Sequence, residues 1–149
     1  MSLPVLALKS SGAFTLTEIM VVVIILSITA SFAIPKYQKA IRSAHERDTV
    51  LALSGIQSAS RIYYVNNNNQ FLSGTDLDLG SINSNFKINI MANGMIYSYT
   101  SAAPNSYTIL AAWDESGTAN DFQVSAQGDS NADSSPCCYA GNCPSLAAC

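Results

Sequence analysis

The side chains able to do chemistry in this 149-residue chain lie in a few separate places. Cys137, Cys138, Cys143 and Cys149 all fall in the last 13 residues. Four thiols allow three pairings. A bond between the vicinal Cys137 and Cys138 is strained, which leaves 137–143 with 138–149, or 137–149 with 138–143. Structural zinc would want a C-x-x-C pair, which is absent. Two disulfides stapling a Gly/Pro/Ser-rich tail are therefore expected, in an oxidising compartment outside the cytoplasm. Asp129-x-Asn131-x-Asp133 has the spacing that opens a calcium loop. Ser134 stands at the sixth position in place of Gly and Ala140 at the twelfth in place of Glu, which excludes an EF-hand. Metal-free acidic turns are the simpler expectation. Asp76 and Asp78 would share one side of a strand, but nothing around them completes an acid–base site, and a solvated loop is expected. The single histidine, His45, lies amid Arg42, Glu46 and Arg47 with no second His and no placed nucleophile, so it reads as a surface residue. No catalytic residue is assigned, and an enzyme is not expected.

The remaining chemical oddity is Glu18, which opens an apolar run. Seventeen uncharged residues, Ile19 to Pro35, separate it from Lys36, and only Ser27, Thr29 and Ser31 interrupt the run with hydroxyls. As a helix this run spans roughly 26 Å, and adding Phe14–Thr17 brings it to the ~30 Å hydrocarbon core of a bilayer. Composition agrees: 11% of residues are charged and 48% hydrophobic, where soluble domains carry about 25% charged. A carboxylate at the centre of a membrane helix costs about 2.5–3.5 kcal/mol and calls for a function. A cleavable secretory signal fits poorly, because the small residues Ser10-Ser11-Gly12-Ala13 precede the apolar run and no A-x-A site ends it.

The stretch Phe14-Thr15-Leu16-Thr17-Glu18-Ile19-Met20-Val21-Val22-Val23, with Ala33-Ile34-Pro35-Lys36-Tyr37 after it, resembles the N-terminal signature of type IV pilins and type II secretion pseudopilins. The resemblance covers about 25 residues. It implies a cytoplasmic leader, residues 1–13, removed by a membrane peptidase that also N-methylates the new first residue, Phe14. Glu18 then stands fifth and Pro35 twenty-second, as in that family. One departure concerns the cut, since the family has Gly immediately before it and here Ala13 intervenes. Cleavage between Ala13 and Phe14 keeps the register; cleavage between Gly12 and Ala13 is the alternative. The resemblance further implies that Glu18 meets the terminal amine of a neighbouring subunit during filament assembly. Expected partners are identical or homologous subunits, the prepilin peptidase, an inner-membrane assembly platform and, before assembly, the membrane itself. Some pseudopilins bind calcium near the C-terminus, which gives Asp129, Asn131 and Asp133 a calcium alternative, with Asp114, Glu115 and Asp121 as further donors; otherwise no cofactor is expected.

These residues need elements to hold them. Residues 14–35 form the membrane or filament-core half of one helix, and residues 36–66 its amphipathic half. Pro35 loosens or kinks this helix, since it lacks the N–H that would reach Ser31. In the second half Ala52, Gly55, Ile56, Ala59, Ile62 and Tyr63 form an apolar stripe, while Lys39, Arg42, Ser43, Glu46, Arg47, Gln57 and Arg61 supply polar positions. Asn66–Asn69 stops the helix. Residues 67–149 form the head. Phe86–Ile90, Met95–Thr100, Tyr107–Trp113 and Phe122–Ala126 read as strands, and residues 71–85 as a connection. The fold class is α+β, a long N-terminal helix packed on a small antiparallel sheet, which the resemblance names a pilin fold.

Charge divides along the same line. Residues 1–72 carry six Lys/Arg against three Asp/Glu (net +3), and residues 73–149 one Lys against seven Asp/Glu (net −6). An acidic head disfavours nucleic acid as a partner. The aromatic residues Tyr97, Tyr99, Tyr107, Trp113 and Tyr139 leave a ligand-binding head as the rival reading. Lys36, Lys39, Arg42 and Arg47 follow the apolar run and only Lys9 precedes it, against the positive-inside tendency. The cysteines and the leader outweigh this. The head is expected outside a bacterial inner membrane that the helix crosses once, and later on a surface or periplasm-spanning filament.

Overall fold

The computed structural model describes residues 14–103, 105–113, 122–141 and 143–149. Helix α1 runs from Leu16 to Asn66 and is followed by β1 (Gly74–Leu77), α2 (Leu79–Phe86), β2 (Met95–Ala103), β3 (Ser106–Trp113), β4 (Phe122–Asp129) and β5 (Cys137–Gly141). The chain divides into two compact units between Gln38 and Lys39. The first contains the apolar half of α1. Its large side chains, from Phe14 through Tyr37, are all exposed, and this helix is long and apolar enough to cross a membrane. Pro35 lies inside the helix, which continues past it without ending at Ile34. Only one hydrogen bond is forfeited there, and good helix formers resume at once.

The second unit is the head. Its five strands form one antiparallel sheet in the order β1-β2-β3-β4-β5, so every neighbour in space is a neighbour in sequence. The register is regular where hydrophobic alternation is strongest: Tyr97 pairs with Ala111, Tyr99 with Ile109, and Ala111 with Val124. Alternation puts Met95, Tyr97 and Tyr99, then Tyr107, Ile109, Ala111 and Trp113, then Phe122, Val124 and Ala126 in the core. The second half of α1 contributes Leu53 and Ile56 to the same core.

The buried face of α1 is Glu46, Thr49, Leu53, Ile56, Gln57, Ala59 and Ser60. This corrects the stripe read from the sequence. Ile62 is 64% exposed, and Glu46 and Gln57, expected among the polar surface positions, are buried. The helix thus presents a mixed face: Glu46 and Gln57 find partners elsewhere in the head, and Thr49 donates back to the His45 carbonyl of its own helix at 2.6 Å.

A second correction concerns residues 71–90. The connection contains β1 and α2, and Phe86–Ile90 is no strand. Asp78 caps α2 by accepting the Ser81 N–H at 3.1 Å. Lys87 ends the helix in the left-handed conformation, φ 57°. Asn83 then takes the place of a strand partner: its amide nitrogen donates to the Ile90 carbonyl at 2.9 Å, and its amide oxygen accepts the Ile90 N–H at 3.0 Å. Phe86, Ile88 and Ile90 still pack on the core, so their alternation is one of burial without a ladder. A cluster of rings ties this region in, with Phe86 edge-on to Tyr63 at 5.6 Å and to Tyr99 at 5.3 Å.

Leu53→Ala, at a fully buried position on α1, is expected to destabilise the head by about 2–5 kcal/mol. Ile62→Ala, inside the stripe read from the sequence but exposed, should change stability by less than about 0.5 kcal/mol. Denaturant unfolding of the two variants in detergent checks the difference.

Candidate functional site

The candidate site at the start of α1 is built by Thr15 and Glu18. Thr15 precedes the first helical residue, and Glu18 is the third. The Thr15 hydroxyl accepts the Glu18 N–H at 3.2 Å, while Glu18 Oε2 accepts the Thr15 N–H and hydroxyl, each at 3.2 Å. This is a reciprocal capping box, which satisfies amides that a helix start otherwise leaves unpaired. Sequence reasoning missed it, although T-x-x-E before an apolar run is its signal. Glu18 is therefore not idle even within one chain. Its other oxygen, Oε1, meets no donor among the described residues. Phe14 beside it is exposed. Gly12 and Ala13, where the leader cut was expected, lie outside the described residues.

The hydroxyls in the apolar run turn back on their own helix. Ser27 donates to the Ile24 carbonyl at 2.8 Å, Thr29 to the carbonyls of Ile25 at 3.1 Å and Leu26 at 3.0 Å, and Ser31 to that of Ser27 at 2.9 Å. With these groups satisfied internally, the helix offers hydrocarbon all round. Glu18 is the only ionisable side chain in residues 14–35.

In the head, Asp129 and Asp133, two of the residues given the calcium alternative, bond within the chain. Asp133 forms a two-pronged pair with Arg61, Nη2 to Oδ1 at 2.9 Å and Nε to Oδ2 at 3.0 Å. Tyr107 donates its hydroxyl to the same Oδ1 at 2.7 Å. Asp129 Oδ1 accepts the N–H groups of Asn131 at 2.7 Å and Ala132 at 2.9 Å, closing a turn. Those bonds hold the Asp129 carboxyl below its ordinary pKa. No group of three His, Cys, Asp or Glu placed to hold a metal occurs among the described residues. Asp114, Glu115 and Asp121 lie outside them. The turn is fastened to α1 by Gln57, whose amide donates to the carbonyls of Ser134 at 2.9 Å and Gln127 at 3.3 Å. These contacts border an open polar cleft of about 520 Å³ lined by Thr100, Tyr107, Gln127, Asp129 and Ser134.

The structure separates the other candidates. Asp76 sits on β1, where it accepts the Thr100 hydroxyl at 3.2 Å. Asp78 is the α2 cap, so the two do not share one strand face. His45 is half-buried and stacked on Trp113, with centroids 4.7 Å apart, and is not a solvated residue. Tyr97, Tyr99, Tyr107 and Trp113 are core residues on strands. Only Tyr139 of the aromatic set is exposed and available to a ligand. The cysteines pair as Cys137–Cys149 and Cys138–Cys143, the second of the two expected patterns.

Comparison with protein-family models, with curated proteins and with solved structures gives no match to this chain.

Burial, and secondarily Asp133, push the Tyr107 phenol well above its ordinary pKa; burial does the same to Tyr99. A raised phenol stabilises the fold below its unfolded pKa of about 10, and this contribution falls away as pH climbs from there toward the folded value. Head stability should therefore decline steadily above about pH 10. In Asp133→Asn, Tyr107 should ionise at lower pH than in wild type, which ultraviolet titration of phenolate absorbance measures.

Proposed function

We propose that this chain is a structural subunit of a type IV pilus filament, processed by a prepilin peptidase and polymerised through its N-terminal helix. The observation that carries the reading is the register of Phe14, just ahead of an apolar helix, with Glu18 and Pro35 within it. The exposed hydrocarbon of that helix supports it, because such a surface requires lipid or other helices around it. The α+β head and its two disulfides also fit a subunit whose head lies outside the cytoplasm.

The chemistry of Glu18 gives the reading its mechanism. In the membrane the carboxylate lies near the end of the apolar helix, and its capping bonds lower the cost of burial. On entering a filament, Oε1 accepts the terminal ammonium of Phe14 from a neighbouring subunit. That charge pair forms in a helix bundle from which water is excluded, and a subunit offset along the axis leaves both charges unpaired. The cysteines, head and membrane helix serve equally in a major pseudopilin of a type II secretion system, or in a minor pilin for adhesion or DNA uptake. Long surface filaments favour the first assignment, loss of protein export on deletion the pseudopilin.

Mass spectrometry of the native protein is expected to find a chain beginning at N-methylated Phe14; a chain beginning at unmodified Met1 overturns the proposal. Glu18→Val should still insert and be processed. Loss of one partner from a buried pair costs about 3–5 kcal/mol, so filament yield should fall by about 100-fold or more. Sheared-filament immunoblots measure it, and wild-type yield from the variant counts against the role of Glu18.

A further inference from the structure

Of the three carboxylates on α1, Glu18 and Asp48 are exposed, whereas Glu46 is only 1% exposed. Both Glu46 oxygens lie on one donor, the backbone N–H of Ser145, at 3.0 and 3.1 Å across 99 residues of sequence. Ser145 belongs to the C-terminal tail between Cys143 and Cys149. That tail has little regular structure of its own. It is joined to β5 by the disulfides Cys138–Cys143 and Cys137–Cys149. Two backbone bonds support it, from Cys138 N–H to the Ala147 carbonyl at 2.7 Å and from Cys149 N–H to the Cys138 carbonyl at 3.0 Å. Leu146 packs on the core next to them.

A buried carboxylate is tolerated only where donors meet it. Here the donor is a backbone amide whose position depends on covalent links that form only under oxidising conditions. We propose that the C-terminal tail is a redox-set clasp, in which closure of the two disulfides delivers the Ser145 N–H to Glu46 and locks the tail onto α1. Each closure takes two electrons and two protons from a thiol pair. They pass to a protein disulfide carrier, which becomes a dithiol, and a small dithiol reverses the step. Release of the tail leaves Glu46 without its donor. It also removes Ser145 and Leu146 from one wall of an apolar groove of about 350 Å³ whose other wall is Arg47, Val50 and Leu51. A head that has not been oxidised thus differs from a finished one along residues 46–51 of α1, by a carboxylate without its amide donor and a missing wall. This inference does not depend on the filament reading.

The test uses the full chain in detergent, oxidised or reduced with dithiothreitol, as wild type and as Glu46→Leu. Reduction should lower the thermal midpoint of wild type by at least about 5 °C more than that of Glu46→Leu, because only wild type abandons a carboxylate. A smaller difference overturns the proposal. A second measurement needs no variant. On reduction of wild type, hydrogen exchange at the Ser145 amide should accelerate by about tenfold or more, while the Ile109 amide in β3 stays protected. An unchanged Ser145 rate, or loss of protection at Ile109 as well, overturns the clasp as a local device.

Discussion

One helix in this protein must satisfy two different surroundings. Along Leu16–Asn66 the helix is unbroken, with one backbone bond forfeited at Pro35, but the side chains change character partway. Before Lys36 the helix is apolar on every side, which suits lipid or a bundle of like helices. Beyond Lys39 only one face is buried, and it is covered by the sheet. The rest of the head follows from that demand. A single helical face can be covered by an antiparallel sheet that buries alternate residues, and a meander builds such a sheet from a contiguous stretch of chain. The result is a head whose aromatic core is shared between α1 and β2–β4.

The large features of this arrangement were legible because they rest on periodicity. The helix, the α+β class and three strands come from runs of residues at spacings of three to four or two. What escaped was set by single polar contacts. Asn83 satisfies Ile90 with its side-chain amide, so a segment with strand-like alternation has no ladder. Asp78 reads as half of an acidic pair, yet its carboxylate is consumed by the start of α2. β5 was missed because its five residues, Cys137–Gly141, show no apolar–polar alternation and are held by pairing with β4 and by the disulfides. In each case a contact between residues distant in sequence or on a short loop overrode the local pattern.

The polar residues on the inner face of α1 show the same logic from the other side. Charge and amide content mark Glu46, Gln57 and Arg61 as surface residues, and the helical wheel puts Ile56 and Ala59 inside. The structure accepts both sets. Gln57 and Arg61 reach the turn at residues 127–134, and Glu46 reaches the tail. Ser134, Asp133 and Ser145 among these partners lie outside the strands, where backbone groups have no ladder to satisfy them. The helix thereby fixes the loops of the head by hydrogen bonds while its apolar residues fix the strands by burial. No local signal in the sequence announces the Glu46 and Gln57 pairs, because the donor or acceptor on the far side is a backbone group that every residue possesses.

Glu18 and Glu46 pose the same electrostatic problem at two depths in one helix, and the sequence solves it differently each time. Glu46 is provided for within the chain, by an amide held in a disulfide-bonded tail. Glu18 is provided for in part: its capping bonds to Thr15 occupy Oε2, and Oε1 is left over. A carboxylate kept at the edge of an apolar helix solely to cap it would be an expensive choice, since Thr15 already satisfies the Glu18 N–H and Gln at the same position would cap without charge. The charge itself is what remains to be explained. The cation that would answer it has to come from outside the apolar segment, since Glu18 has no ionisable neighbour within it. In the proposed filament, a terminal ammonium carried by Phe14 of another copy would meet that requirement with no further residue, and the register of Phe14 and Glu18 would then set the repeat of the assembly.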